Sequence, residues 1–372
     1  MTTAIPAEGR VELRIEWDGQ AVQRAEVRSR RPQPAALLAG RAPELARAII
    51  PRLYSLCGDA QSVAVEALET VLRNREPDSL RIADWGERIR LENIREHLWR
   101  LGLDWPGVAG EPQQPAPVRE LLAERTRFAT DREGAASWAG RTFAGLFGSS
   151  HLAWLEEADQ ASLAQWLDAT PTPLAVLLAR LRPRLTGLGP SGLPLFPAGD
   201  LHPLVQAALP RLRADPDFHW RPDHQGLVFE MGPLARQVAH PLIASMLARQ
   251  GVPDSWLRVL ARVLELAGAL QSLETGVEPL PGIAWQHGDN ESVVALDMVR
   301  GVLMHWQETG PDGIRDYRIV APTEWNFHPQ GPAREGLLQL RATDEACLRE
   351  MVTLQVMALD PCVQYELEIL HA

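Results

Sequence analysis

The apolar residues of this 372-residue chain change their spacing three times, and that alternation of period limits the fold more than any other feature. Near the start, Val11, Leu13, Ile15 and Trp17 alternate with polar residues, Asp18-Gly19 supplies a turn, and Val22 to Val27 returns. A period of two broken by Asp-Gly predicts a β-hairpin over 10–30. From about 42 to 275 the spacing is helical. Helices are expected over 42–54, over 60–73 (Val65, Leu68, Val71 and Leu72 on one face) and from Arg88 to Leu101, the last stopping near Asp104-Trp105-Pro106. A Gly/Pro loop, GLGPSGLPLFPAGDLHP, interrupts the later helices at 187–203. Strand character returns over 293–321, where VRGVLMHW and IRDYRIV flank a Pro311-Asp312-Gly313 turn. A final helix, 344–358, opened by Thr343 or Asp344, leads into Asp360-Pro361-Cys362 within the C-terminal segment 344–372. There is no internal repeat. The class is α+β and helix-dominated, a single domain over 1–372 with small antiparallel β regions from both ends of the chain that can meet in space. The stretch GEPQQPAP, within 107–120, reads as a linker-like insert.

Composition removes several classes of function. The net charge of −11 disfavours a broad nucleic-acid surface, and all 37 basic residues are Arg. No apolar run is long enough to span a bilayer and no signal-peptide pattern opens the chain, so a cytoplasmic protein without membrane insertion is expected. Three Cys cannot build a disulfide framework. The ten His form no HExxH or HxH, and there is no CxxC, GxSxG, Walker A or dinucleotide-binding glycine pattern in a suitable setting. His97 and His305 read as core or hydrogen-bonding residues.

The thiols then carry the question. Cys57 lies in SLCGDAQ, between one helix and the next, and Cys362 in LDPCVQYELEIL, where Asp360 suits an N-cap and Pro361 a first helical residue. Both would lie at helix N-termini, where free amides favour a thiolate, the form that binds iron or nickel. Position alone does not set aside the plainer reading, that each is a small buried residue. Cys347, beside Leu348, Met351 and Val352, reads as packing. Asp59 reads either as an early-turn helix carboxylate or as an oxygen ligand beside Cys57.

In order along the chain, GRAPELARAIIPRLYSLCG, REHLWRLGLDWP, FEMGPLAR (229–236), DMVRGVLMHW (297–306), APTEWNFHPQGP (321–332) and LDPC (359–362) resemble segments of the [NiFe] hydrogenase large subunit. That resemblance implies the same fold and two CxxC pairs holding nickel and an iron that carries cyanide and carbon monoxide. Cys57 and Cys362 match the first cysteine of each pair, while Ala60 and Tyr365 occupy the bridging positions. Ala64 and Glu368 stand where the family has His, and Val299 replaces a Pro before Arg300-Gly301. The chain ends at Ala372, so no extension for a maturation protease is expected. One cysteine kept per pair resembles the HupK/HoxV group of hydrogenase accessory proteins.

By that resemblance Cys57 and Cys362 are the metal ligands, Arg300 and Thr323 face the cyanides, and Asp360 either orients Arg300 or caps the last helix. The implied function is a non-catalytic scaffold that holds an Fe(CN)2(CO) fragment transiently, with nickel not expected. The implied partners are a hydrogenase large subunit and maturation proteins of the HypC/HypD type. A divergent redox enzyme with an altered iron or nickel site and a metal-free interaction protein are the alternatives.

Overall fold

A computed structural model describes residues 9–31, 37–73, 76–128, 130–149, 152–276 and 282–371. The hairpin forms as β1 (Arg10–Trp17) and β2 (Val22–Arg30), with Leu13 opposite Val27. Its turn is held by the Asp18 carboxylate, which accepts from the backbone N–H groups of Gln20 (2.9 Å) and Ala21 (2.8 Å). The helices follow: α1 (Glu44–Leu53), α2 (Gly58–Leu72), α3 (Ser79–Trp99), α4 (Trp105–Ala109), α5 (Ala116–Phe128), α6 (Arg132–Phe147), α7 (Gln160–Ala169), α8 (Pro173–Leu185), α9 (His202–Ala214), α10 (Pro233–Gln237), α11 (Pro241–Gln250) and α12 (Ser255–Thr275). Four strands come next, β3 (Ile283–Gly288), β4 (Glu291–Met298), β5 (Gly301–Gly310) and β6 (Gly313–Val320), and then α13 (Pro322–Asn326), α14 (Pro332–Leu338), α15 (Glu345–Leu359) and β7 (Gln364–His371). Among the described residues no helix is long and apolar enough to cross a membrane.

The ends of the chain meet. β7 lies parallel to β1 and completes a sheet of order β2-β1-β7, with Leu13 opposite Leu367. This corrects the helix expected after Pro361. Asp360 does not start a helix; it ends α15 in the left-handed conformation (φ 56°), its N–H bonded to Val356 O at 2.8 Å. Beyond it, Tyr365, Leu367 and Ile369 turn inward while Gln364, Glu366 and Glu368 face solvent, a period of two that the Asp-Pro pair obscured.

The second sheet, β3-β4-β5-β6, is antiparallel and larger than the 293–321 region expected. Val63, Ala64 and Leu68 of α2 pack on Val294, Leu296 and Leu303 of one face. Leu204, Val205 and Leu209 of α9 cover Val293, Ala295 and Trp306 on the other. With both faces covered, β4 is buried almost without interruption, so its sequence lacks the alternation that marks a half-exposed strand. The largest core joins the first sheet to α12, α15 and the helices around them.

Two other boundaries shift. α3 begins nine residues before the expected Arg88, at Ser79, because the Asp78 side chain caps it by accepting from Arg81 N at 2.8 Å. It also does not stop at Asp104: a π-helical turn (Arg100–Asp104) carries it into α4, in whose first turn Pro106 falls. The Pro/Gln-rich stretch joins α4 to α5, pinned by Gln114 N to Gly102 O at 2.7 Å. Cys347 is exposed, on the outer face of α15, against the packing role expected of it.

One close crossing fixes the path into the second sheet. Gly301 has φ 120°, and a Cβ there would stand 2.8 Å from Met231 Cβ, while Gly232 (φ 104°) faces the Arg300 carbonyl. Gly301→Ala is therefore expected to lower stability by about 1–3 kcal/mol, read as a lower midpoint in urea unfolding.

Candidate functional site

The meeting of the two ends brings the sequence-selected residues into one buried neighbourhood. Cys57 caps α2 from a short 3-10 turn (Ser55–Cys57) and is buried. Gln61, one turn on, donates to its sulfur at 3.7 Å, and Gln61 Oε1 lies 2.9 Å from His305 Nε2. His305 Nδ1 is 2.8 Å from the Tyr317 hydroxyl. Burial lowers His305 to about 3, so the ring is neutral; Nε2–H donates to Gln61 and Nδ1 accepts from Tyr317. The core reading of His305 holds, as does that of His97, which is fully buried and 2.9 Å from Glu265.

The first amides of α2 do not serve the Cys57 sulfur. Asp59 N and Ala60 N donate to the two oxygens of Glu92 at 2.7 and 3.2 Å. Burial, reinforced by Cys362 and Glu92, pushes the Cys57 thiol up, so the thiolate expected from helix position is not favoured there. Asp59 turns away to pair with Arg125 at 3.0 Å, which suits the helix-carboxylate reading rather than the ligand reading.

Cys362 has the opposite surroundings. Thr323, in the first turn of α13, places its hydroxyl 3.1 Å from the sulfur and accepts the Cys362 N–H at 3.2 Å. Arg31, just past β2, donates to the sulfur at 2.7 Å. Burial pushes this thiol up, but Arg31, Arg300 and the Thr323 hydroxyl outweigh it and hold Cys362 below the ordinary thiol range. The two thiols are thus inequivalent, Cys362 biased to the charged form and Cys57 to the neutral one. The loss of the expected helix N-terminus at Cys362 leaves the thiolate favoured by side chains instead.

Arg300 is 2 % exposed and pairs with Glu96 (2.9 Å) and Asp360 (3.1 Å). Asp360 also faces Arg262 at 3.0 Å and Arg100 at 2.6 Å, the latter from the π-helical turn. Among the described residues its two oxygens make no aligned hydrogen bond, so charge holds the group: burial pushes the carboxyl up, and Arg300, Arg262 and Arg100 pull it far below the usual carboxylate range. Asp360 therefore both orients Arg300 and ends α15. Arg300 Nη1 is buried with no hydrogen-bond partner among the described residues, a donor left for something else.

Among the described residues no group of three or more His, Cys, Asp and Glu side chains is gathered as a metal site. Ala60 is buried and contributes no ligand atom. Tyr365, on β7, bonds its hydroxyl to Thr353 of α15 at 2.8 Å. Glu368 is exposed and pairs with Arg14 at 3.3 Å. Val299 N donates to Asn93 at 2.9 Å, and Val299 O accepts from Arg236 at 3.0 Å.

No protein-family model matches the sequence. The hydrogenase expression/formation protein HoxV of Cupriavidus necator is 32 % identical over 99 % of this chain and 97 % of its own length. The protein of the same description named HupK from Azotobacter vinelandii is 30 % identical over 98 % of this chain and 99 % of its own. The chain belongs to the HupK/HoxV family. Its fold is that of the [NiFe] hydrogenase large subunit. A Ni-Fe-Se hydrogenase of D. vulgaris Hildenborough aligns over 95 % of this chain and 98 % of its own, with a TM-score of 0.58 at 16 % identity. A NAD+-reducing [NiFe]-hydrogenase aligns over 96 % of each chain with a TM-score of 0.57 at 17 % identity.

Several residues of this HupK/HoxV site escape sequence reasoning. Arg31, Gln61, Glu92, Glu96, Arg100, Arg262 and Glu324 come from five separate stretches, with Glu92, Glu96 and Arg100 together at the end of α3 and in the turn that follows, and none forms a local motif. Arg100 had one usable signal, the Arg-Leu-Gly run before Trp105-Pro106 that weakens a regular helix.

Two outcomes test this electrostatic arrangement. Asp360→Asn leaves three guanidiniums without their shared counter-charge, and about 3–5 kcal/mol of stability is expected to be lost in urea unfolding. The second concerns pH. Burial and the neighbouring Asp59 push Glu92 up to about 7, and burial pushes Glu324 up to about 7. Both carboxyls bind protons more tightly folded than unfolded, so this contribution is fully present below the ordinary value of 4.5 and is lost as pH rises through about 7. Glu92→Gln is expected to flatten that decline between roughly pH 5 and 8 by about 1–3 kcal/mol, measured by chemical denaturation across the range.

Proposed function

We propose that this chain is a non-catalytic, cytoplasmic scaffold for hydrogenase maturation that takes up an Fe(CN)2(CO) fragment, holds it transiently and passes it to a hydrogenase large subunit. The observation that carries this reading is the pair of inequivalent thiols, Cys362 contacted by Arg31 and Thr323 and Cys57 by Gln61, with no group of three or more His, Cys, Asp and Glu gathered among the described residues. Soft sulfur suits low-spin iron, whereas Ala60 offers no ligand atom and the Tyr365 hydroxyl is engaged with Thr353. Two thiols rather than four leave fewer bonds to break on transfer, and the missing bridges remove the means of keeping nickel beside iron.

The surroundings suit cyanide. Its nitrogen carries negative charge and accepts hydrogen bonds, so the unpartnered buried Nη1 of Arg300 is a donor of the right kind, and the Thr323 hydroxyl becomes one if its single hydrogen turns from the Cys362 sulfur to the cyanide. The names of the two relatives above, hydrogenase expression/formation proteins, support a role in assembly. The partners that fit are a hydrogenase large subunit and iron-delivering maturation proteins of the HypC/HypD type.

Infrared spectroscopy of the chain purified together with its maturation partners tests the proposal. Cyanide and carbonyl stretching bands are expected in the wild type and absent in Cys57→Ala and Cys362→Ala. Bands missing from the wild type under every co-expression condition sink the cargo reading. Hydrogen turnover with stoichiometric nickel sinks the non-catalytic one.

A further inference from the structure

Arg31 lies outside every segment that drew attention in the sequence, yet it makes the shortest polar contact to either thiol of the pair: Nη2 donates to the sulfur of the half-buried Cys362 at 2.7 Å. Its side chain is only 8 % exposed. On the far side its Nε lies 3.1 Å from Glu324 Oε1, and the same oxygen accepts from the Ser29 hydroxyl at 2.9 Å. Glu324 is itself 2 % exposed, and its other oxygen has no hydrogen-bond partner among the described residues. Arg31 Nε is not aligned to hydrogen-bond Glu324, so charge ties that end of the guanidinium, while its charge-assisted hydrogen bond runs from Nη2 to the sulfur. The Arg31 guanidinium thus occupies one lone-pair direction of the sulfur, and the Thr323 hydroxyl, 3.1 Å away, can occupy another.

A sulfur lone pair cannot be given fully to a metal and to a hydrogen bond at once. A hydrogen bond to a bound thiolate withdraws electron density and weakens the metal–sulfur bond. Resting on the scaffold reading, we propose that Arg31 is a built-in competitor for the Cys362 sulfur, donating to it before the cargo arrives and hastening the cargo's departure. The exchange balances without redox chemistry. On loading, the sulfur donates an electron pair to iron as iron gives up a ligand of the delivering protein, which keeps its own pair; on release the iron–sulfur bond breaks heterolytically, the pair stays on sulfur, and the Arg31 Nη2–H donates to it again. The iron leaves in its original oxidation state, bonded to the thiolate of the acceptor protein. Glu324 and Ser29 act through Arg31, fixing it where it can reach the sulfur. Arg31 is therefore a positioning residue for transfer, distinct from Arg300, which touches neither thiol by hydrogen bond and is anchored to Glu96 and Asp360.

The test uses the full chain and Cd2+ alone as the probe, followed by its thiolate charge-transfer absorbance. After loading, excess EDTA is added and the decay of the band is timed. Losing one charge-assisted hydrogen bond of about 1.4 kcal/mol corresponds to a tenfold change, so Arg31→Gln is expected to release Cd2+ roughly tenfold more slowly than the wild type. Arg31→Lys keeps the charge but not the two-ended fork and is expected to fall between the two; it decides the matter if Arg31→Gln does not fold. Cys362→Ala is the control in which the Cys362 contribution to the band disappears. Release from the folded Arg31 variants that is as fast as, or faster than, wild type overturns the proposal, because an arginine that only stabilises the fold has no reason to speed metal loss. A slower release combined with absent infrared bands leaves Arg31 as a competitor for sulfur while overturning the iron-fragment cargo.

Discussion

The contact on which the rest depends is the grip of Arg100, Arg262 and Arg300 on the Asp360 carboxylate. Each guanidinium comes from a different place: the π-helical turn after α3, the middle of α12, and the junction of β4 and β5. Burying one carboxylate with one arginine gains little, since desolvation nearly cancels attraction. Further acids keep the cluster near balance, with Glu96 on Arg300 and Asp104 on Arg100. A second layer continues outward, where Arg262 meets His97, His97 meets Glu265, and Glu265 meets Arg236, which also holds Asp297 and the backbone at Met298. The strand junction bearing Arg300 is thereby tied to the helix bearing Arg262, and the turn after α15 is locked to both. That turn carries Cys362 two residues on.

Position along a helix proved a poor guide to thiol chemistry, for two different reasons. At Cys57 the helix N-terminus is present, but Glu92 from α3 takes its first amides and burial does the rest. At Cys362 the helix is absent, and two arginines and a threonine hydroxyl supply the favour that a dipole was expected to give. The general rule that a thiol near free amides ionises more easily is sound. It fails locally when another acid reaches those amides first, and that acid stands thirty-two residues or more from Asp59 and Ala60.

What the sequence carries is the set of locally encoded elements. The first hairpin follows from alternation and Asp-Gly, and α1 and α2 follow from helical spacing. β4 was partly missed because burial on both faces removes alternation, and β7 because Asp-Pro ahead of it resembles a helix start. The site residues divide in the same way. Cys57, Arg300, Thr323, Asp360 and Cys362 lie in segments with a recognisable order, and so does Glu324 beside Thr323, but Glu324 acquires its role only once β2, with Arg31 just past it, α13 and the turn after α15 converge.

On the scaffold reading proposed above, the asymmetry of the two thiols would separate a carrier from a catalyst on this fold. A permanent metal site gains from equal, saturated donors, because every bond must resist exchange. Here Cys362 is poised as a donor and Cys57 is held by burial in its neutral form, with Gln61, His305 and Tyr317 forming a chain behind it. On that reading, cargo would bond first at Cys362, and Cys57 would join only after giving up a proton against the cost of burying its charge. The same ordering would run backwards on release, the Cys57 bond, opposed by its surroundings, opening first. A site that binds stepwise and lets go stepwise needs no conformational trigger beyond an acceptor able to offer better sulfur.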